Sequence, residues 1–207
     1  MTLSRTLSEI ASTTTKAVRG AGCNWGLAEE TGQAVRELER HGLPGVRAIA
    51  QLLKSDRACA CAGETGSAAC AVKVLARVAD RIHQVDQGEV VNIDNVVAPV
   101  LILGPLLAAA KLNGRNYRLC LGEEELTATG NGWVGDGDAI QAGIANGPVE
   151  ICAAEDVVEG VEPPNQGARI LDSSDWGVLE KLAYKTLVPE TEESRKRGAG
   201  SGETRDE

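Results

Sequence analysis

The chain has 207 residues, of which 43% are hydrophobic and 25% are charged, and its formal net charge is −9. This balance argues against a wholly disordered chain, and the negative charge argues against nucleic acid or an anionic membrane surface as the main partner. The sequence shows neither an apolar run of the roughly 20 residues that cross a bilayer nor a secretory signal, so we expect a cytoplasmic protein.

The composition also indicates how the core is packed. The chain has no Phe, one Met, two Tyr and three Trp. Ala, Val, Leu and Ile must therefore fill the interior, and each buried methylene group contributes about 0.8 kcal/mol.

Two helices with clear start signals are predicted at the beginning of the chain. Thr6 and Glu9 have the spacing of a capping box, and an apolar stripe at helical spacing follows them until Gly20. Asn24 is a suitable N-cap for a second helix from about Trp25 to Arg40. We interpret His41 as a cap for the last carbonyls of this second helix, with a catalytic role as the alternative.

A third helix is predicted after Gly45, and a fourth is indicated by the helical spacing of Ala71–Ile82. The pattern changes from helical to mixed near Val90. Beyond Val90 we interpret Gly130–Gly147 as a set of turns. The other segments expected there are a helix from about Pro105 to Asn113, strands over Tyr117–Leu121, Glu125–Thr129, Val149–Ala153 and Arg169–Leu171, and a last helix over about Trp176–Leu187.

These elements predict an α+β fold in a single domain over residues 1–207. A helical half of about four helices (about residues 1–87) precedes a β-containing half (about residues 88–207). The second half is expected to form a small, mostly antiparallel sheet and to end in a helix with a Gly-rich tail. By composition, Glu190–Glu207 resembles a loosely held terminus.

The segment Arg19–Glu30 is the strongest candidate for a functional site. It is a glycine-rich joint between two helices, with a guanidinium at one end, two carboxylates at the other, and Trp25 between them. On a helical wheel Glu29 falls opposite the apolar stripe, whereas Glu30 lies at its border and is better placed to enter a cleft. An ion pair between Arg19 and Glu30 is the structural alternative.

We predict a site for a small anionic metabolite where this joint meets the C-terminal tail. The guanidinium group of arginine and the backbone N–H groups of a Gly-x-Gly-x-Gly run both donate hydrogen bonds that suit a carboxylate or phosphate. Glu30 and Arg19 are the predicted catalytic residues. The predicted ligand-binding residues are Trp25, Ser194, Arg195, Gly198, Gly200 and Gly202. Whether the chain is an enzyme stays open, and the alternative is a non-catalytic small subunit or assembly partner of a metabolic enzyme. A homodimer is also left open.

No cofactor or metal is assigned. The Gly-x-Gly-x-Gly run does not stand between a strand and a helix, so it is not a dinucleotide-binding fingerprint. Cys59, Cys61 and Cys70 form the one cluster of thiols, but Cys-x-Cys is not the usual zinc spacing, and the chain has two histidines. We interpret this cluster as part of a loop with incidental thiols.

Two motifs resemble a bacterial family catalogued only as a domain of unknown function. The first is Arg19-Gly-Ala-Gly-x-x-Trp-Gly-x-Ala-Glu-Glu30, and the second combines Trp176, Thr186-x-Val188-Pro189, Ser194-Arg195 and Gly198-Ala-Gly200-x-Gly202. The resemblance implies that these residues belong together, and it implies no activity. The helices around Arg40-His41-Gly42 are also similar to the start of malate/lactate-type NAD(P)-dependent dehydrogenases, which have Ser in place of Arg40. That likeness implies an oxidoreductase as a further alternative.

Overall fold

The structure is a computed structural model, and it describes residues 1–54, 69–155 and 167–187. Within these ranges the helices are α1 (Leu7–Gly20), α2 (Trp25–Arg40), α3 (Gly45–Lys54), α4 (Ala71–Asp86), α5 (Leu103–Asn113), α6 (Gly137–Ile144) and α7 (Ser173–Tyr184), with a 3₁₀ helix over Pro99–Ile102. The strands are β1 (Thr2–Thr6), β2 (Ala69–Cys70), β3 (Val91–Val97), β4 (Asn116–Leu121), β5 (Glu124–Thr129), β6 (Gly132–Val134), β7 (Gly147–Ala154) and β8 (Ala168–Asp172). None of these described helices is both long enough and apolar enough to cross a membrane.

The strands form two separate sheets. Six of them make a mixed sheet in the order β2-β3-β7-β4-β5-β6, in which the described pairs are antiparallel except for β2–β3. Strands β1 and β8 form an antiparallel ribbon whose register runs from Thr2 opposite Asp172 to Thr6 opposite Ala168. The predicted α+β class is confirmed: a mainly helical N-terminal region, which also holds the short strands β1 and β2, precedes a mostly antiparallel sheet and a C-terminal helix. The single-domain division stays a prediction.

The predicted starts of the first two helices are confirmed. Thr6 Oγ1 accepts a hydrogen bond from the N–H of Glu9 at 3.2 Å, while the Glu9 carboxylate accepts one from the N–H of Thr6 at 2.8 Å. Asn24 Oδ1 accepts from the N–H of Leu27 at 2.9 Å and so begins α2. Local side-chain chemistry therefore sets the boundaries of the helices on either side of the joint.

Other predictions were wrong or incomplete. The interpretation of Gly130–Gly147 as turns is wrong, because β6 pairs with β5 and α6 follows it. Asp136 caps α6 by accepting from the N–H of Ala139, which is buried. The glycine-rich composition predicted neither element, because Gly has a low propensity for helices and strands. Packing against neighbouring elements supplies the stability that the local sequence lacks. The sequence analysis also did not predict strands β1, β2 and β3.

Helix α2 lies at the centre of the helical layer and is approached closely by three other helices through glycines. A methyl group at Gly104 of α5 would lie 2.6 Å from the carbonyl oxygen of Ala34 in α2. One at Gly45 of α3 would lie 2.9 Å from the carbonyl oxygen of Val35, and one at Gly32 of α2 would lie 2.8 Å from that of Ala11 in α1. Backbones therefore touch where bulkier residues would otherwise hold them apart.

Gly104→Ala is expected to lower the free energy of unfolding by about 2 kcal/mol, because overpacking a close contact against backbone typically costs about 1–3 kcal/mol. The matched control is Gly177→Ala in α7, where an added methyl group meets no atom within 4 Å. That change should raise the free energy of unfolding by about 0.5–1 kcal/mol through helix propensity. Urea unfolding measures both effects. Equal stability of the two variants would mean that α5 moves away from α2 at little cost.

A buried polar cluster joins the end of α2 to the β1–β8 ribbon. The guanidinium of Arg169 donates from Nε to the carbonyl oxygen of Glu39 and from Nη2 to that of Arg40 at 2.7 Å. The buried carboxylate of Glu39 accepts from the N–H of Val46 at 2.8 Å, at the start of α3. Arg169 therefore helps to cap α2. His41 occupies the C-cap position, as predicted, and its backbone N–H donates to the carbonyl oxygens of Glu37 and Leu38, but its imidazole lies 3.4 Å from the Glu37 carboxylate and not at the last carbonyls.

Burial dominates the acid–base behaviour of this cluster. It raises the pKa of the Glu39 carboxyl to about 7, even though the hydrogen bond from Val46 and the charge of Arg169 lower it. A carboxyl group of this kind is partly protonated near neutral pH, so the stability of the fold depends on pH in a range where ordinary carboxylates do not titrate.

Candidate functional site

The joint between α1 and α2 is held together by Arg19. Its Nη1 donates to the carbonyl oxygen of Cys23 at 2.6 Å, and its guanidinium carbon lies 5.6 Å from the centroid of the Trp25 ring. Gly22 has a φ of +100°, which glycine adopts without strain. The predicted site residues Arg19 and Trp25 are thus close together, and Arg19 also fixes the turn that presents Trp25 to solvent.

The end of α7 packs against this joint. A methyl group at Gly20 would collide with the carbonyl group of Leu182 and would lie 3.6 Å from Cβ of Lys185. The described part of the chain ends at Leu187, two residues after Lys185. The predicted tail residues lie outside the described ranges; they are Ser194, Arg195, Gly198, Gly200 and Gly202. What the structure gives is the position from which that segment starts, beside the joint.

A groove of about 450 Å³ runs between α1 and α2, next to Trp25. We call it the α1–α2 groove; it is lined by Ser8, Ala11, Ser12, Thr15 and Lys16 of α1 and by Trp25, Glu29, Gln33 and Arg36 of α2. Trp25 is 55% exposed, which is unusual for a large aromatic side chain in a chain with so few of them. Hydroxyl groups, an amide and an indole ring therefore share one concave surface.

Positive charge exceeds negative charge along this groove. Lys16 and Arg36 are its two cations, and Glu29 is its one carboxylate. Nη1 of Arg36 donates to Gln33 Oε1 at 3.3 Å, while its Nε is buried with no hydrogen-bond partner among the described residues. An unpartnered buried donor costs about 1–3 kcal/mol, so the guanidinium of Arg36 is incompletely satisfied by the described residues.

A second cleft, of about 560 Å³, adjoins this groove and is lined mainly by α2, α4 and α5. We call it the acidic cleft; it is lined by Thr15, Glu29, Glu30, Gln33, Ala34, Glu37, Leu75, Ala79, Gly104, Pro105 and Ala108. Glu30 lines this cleft, in agreement with the prediction that its side chain enters a cleft between helices. Burial, together with the charge of Asp80, raises the pKa of the Glu30 carboxyl.

The predicted site residues are therefore divided between two surfaces. Trp25 lines the α1–α2 groove, Glu30 lines the acidic cleft, and among the described ion pairs none joins Arg19 to Glu30. Glu29, interpreted from the sequence as a solvated carboxylate, lines both clefts together with Gln33 and Thr15. The catalytic and ligand-binding roles of the predicted residues stay predictions.

Sequence reasoning missed most of the groove. The missed residues are Ser8, Ser12, Thr15, Lys16, Gln33 and Arg36. A signal was present, because Ser8, Ser12 and Lys16 recur at every fourth position of α1, as Trp25, Glu29 and Gln33 do on α2. Two such polar rows on helices joined by a short turn place both rows at one groove.

In the described ranges, no three His, Cys, Asp or Glu side chains lie close enough together to hold a metal ion. The thiol cluster is only partly visible: Cys59 and Cys61 lie outside the described residues, and Cys70 is half-buried at the start of α4. Burial, reinforced by the neighbouring Cys70, raises the pKa of the Cys23 thiol to about 11, so Cys23 stays a thiol at neutral pH.

Fold and site together define an α+β protein with a polar groove between its first two long helices. Residues 5–96 match the model of a family described as "Protein of unknown function (DUF3726)", so this part of the chain is similar to an uncharacterised family. No curated protein and no solved structure matches the chain. The predicted resemblance to a family of unknown function is confirmed. Its bacterial origin and its C-terminal motif, which lies beyond residue 96, stay predictions. Every residue that lines the α1–α2 groove lies within the matched segment.

Proposed function

We propose that the chain binds a small anionic molecule in the α1–α2 groove. The observation that carries this proposal is that Arg36 and Lys16 line the same groove, and that the Nε of Arg36 has no hydrogen-bond partner among the described residues. A carboxylate or phosphate would pair with this guanidinium group, and hydrogen bonds to charged groups contribute more than neutral ones. The groove volume of about 450 Å³ suits a small metabolite.

The side chains around these cations also favour a polar ligand. The hydroxyl groups of Ser8, Ser12 and Thr15 both donate and accept hydrogen bonds, and the exposed indole of Trp25 offers an apolar face beside them. Convergence of charged and polar groups in one concave surface favours this proposal over a non-catalytic subunit, for which a broad apolar patch is expected. No comparison supports the dehydrogenase alternative, since no curated protein matches.

Any chemistry at the groove is a separate proposal. Glu30 and Arg19 stay the predicted catalytic residues, although the carboxylate that lines the groove itself is Glu29. The predicted contribution of the C-terminal tail stays a prediction, and the observation in its favour is that the end of α7 packs against Gly20 at the joint. A cytoplasmic location stays a prediction.

Arg36→Gln is expected to weaken anion binding about tenfold, because it replaces a charged donor by a neutral one. The experiment measures thermal stabilisation by inorganic phosphate, pyruvate and glycerol 3-phosphate, followed by titration calorimetry with the probe that stabilises most. Glycerol is the neutral control ligand. Arg47→Gln on the exposed face of α3 is the matched control variant and should bind like the wild type. Stabilisation by none of the three anions, or equal affinity of the two variants, would contradict the proposal.

A further inference from the structure

The acidic cleft combines an apolar floor with a rim of carboxylates. Leu75 and Ala79 of α4, with Pro105 and Ala108 of α5, form the apolar part, and Glu29, Glu30 and Glu37 of α2 lie along one wall. Its volume of about 560 Å³ is within the range of pockets that hold small organic molecules. The cleft shares Thr15, Glu29 and Gln33 with the α1–α2 groove, but its lining contains no cation.

The three carboxylates differ in their partners. Burial raises the pKa of Glu37, but a hydrogen bond from His41 and the charge of Arg40 lower it below its ordinary value. The partners lie 3.4 Å and 3.3 Å from the Glu37 oxygens. Glu29 and Glu30 take part in no ion pair among the described residues, and the near neighbour of Glu30 is a further carboxylate, Asp80. The unbalanced negative charge therefore lies at the Glu29–Glu30 end of the cleft.

We propose that the acidic cleft binds a small organic ammonium ion, with its charged nitrogen at Glu29 and Glu30 and its hydrocarbon part over Leu75, Ala79 and Pro105. Charge complementarity selects a cation, and the apolar floor selects one that carries a hydrocarbon chain. Burying that chain adds about 0.8 kcal/mol per methylene group. A bare metal ion would contact the carboxylates but would leave the apolar floor of the cleft without a partner.

The kind of nitrogen follows from the lining of the cleft. Quaternary ammonium groups are recognised by cages of aromatic rings, and no aromatic side chain lines the cleft among the described residues. Carboxylate oxygens instead accept hydrogen bonds from N–H groups. A primary ammonium with a short alkyl chain fits both requirements, whereas choline lacks the necessary donors.

The test is titration calorimetry of the full chain with n-hexylammonium chloride. We expect saturable binding, with 1-hexanol and choline each at least about tenfold weaker, because one lacks the charge and the other the N–H donors. Glu30→Gln should weaken hexylammonium binding at least about fivefold. The matched control Glu123→Gln changes an exposed carboxylate in the β4–β5 turn and should leave the affinity unchanged.

A second variant tests the cleft without altering charge. Ala108 is exposed on α5, so Ala108→Leu should be tolerated by the fold while it fills part of the cleft, and hexylammonium binding should be lost. Arg36→Gln should not weaken hexylammonium binding, because it removes a cation near Glu29, whereas it should weaken anion binding; this difference separates the proposal from that of the anion site. The proposal is overturned if hexylammonium does not bind, if hexanol binds equally well, or if Glu30→Gln and Ala108→Leu both bind like the wild type.

Discussion

Replacing Arg169 with Met should lower the free energy of unfolding by about 3 kcal/mol. The guanidinium is buried, with 7% of the residue exposed, and it donates to the carbonyl oxygens of Glu39 and Arg40. Met fills a similar volume but donates no hydrogen bond, so both carbonyls and the buried Glu39 carboxylate lose a partner. Removing one partner from a buried charged network typically costs about 3–5 kcal/mol, and protonation of Glu39 moderates the loss here.

The control for this prediction is Arg47→Met, which makes the same chemical change on the exposed face of α3. It should alter the free energy of unfolding by less than about 0.5 kcal/mol. Urea denaturation followed by circular dichroism compares the two variants at one pH. If Arg169→Met were as stable as Arg47→Met, the capping of α2 by Arg169 would contribute nothing to stability.

The second large effect is a loss of stability as the pH rises through neutrality. Glu39 has a pKa of about 7 in the folded chain, against an ordinary value of 4.5 for a glutamate carboxyl group. Between these two values the folded state binds more protons than the unfolded state, so stability falls as pH increases. The contribution of Glu39 is fully present below pH 4.5 and is lost as pH passes 7. The difference of pKa corresponds to about 3 kcal/mol.

Glu39→Gln isolates this effect, because glutamine cannot titrate and keeps an oxygen that accepts from the N–H of Val46. The stability of the variant relative to the wild type should increase by about 3 kcal/mol between pH 4 and pH 8. Urea unfolding at several pH values measures both proteins. Parallel pH profiles would show that another group controls the pH dependence.

Much of the fold could be predicted because its signals are local. The capping residues Thr6 and Asn24 act within three residues of their partners, so the boundaries of α1 and α2 follow from the sequence. Strand β1 was missed because it is made by a partner far away in the chain. Its pairing of Thr2 with Asp172 leaves no local trace, and Thr2–Thr6 is too short for a clear alternation.

The candidate site was only partly predictable for the same reason. The sequence identified Trp25 and Glu30 from the joint itself, but it did not separate the two surfaces on which they lie. That separation depends on how α4 and α5 pack against α2, through contacts such as Gly104 against Ala34. Neither Glu39 nor Arg169 belongs to a recognisable sequence motif. Their contact joins residues 130 positions apart, so no local pattern predicts it.

The β1–β8 ribbon has a consequence for the order in which the molecule assembles. During synthesis, Thr2–Thr6 emerges long before Asp172, and its pairing must wait until nearly all of the helices and the six-stranded sheet have been made. Contacts between such distant segments form slowly, because the intervening loop must close first. We expect the ribbon to close last during folding, and its backbone amides to exchange with solvent more readily than those of α2.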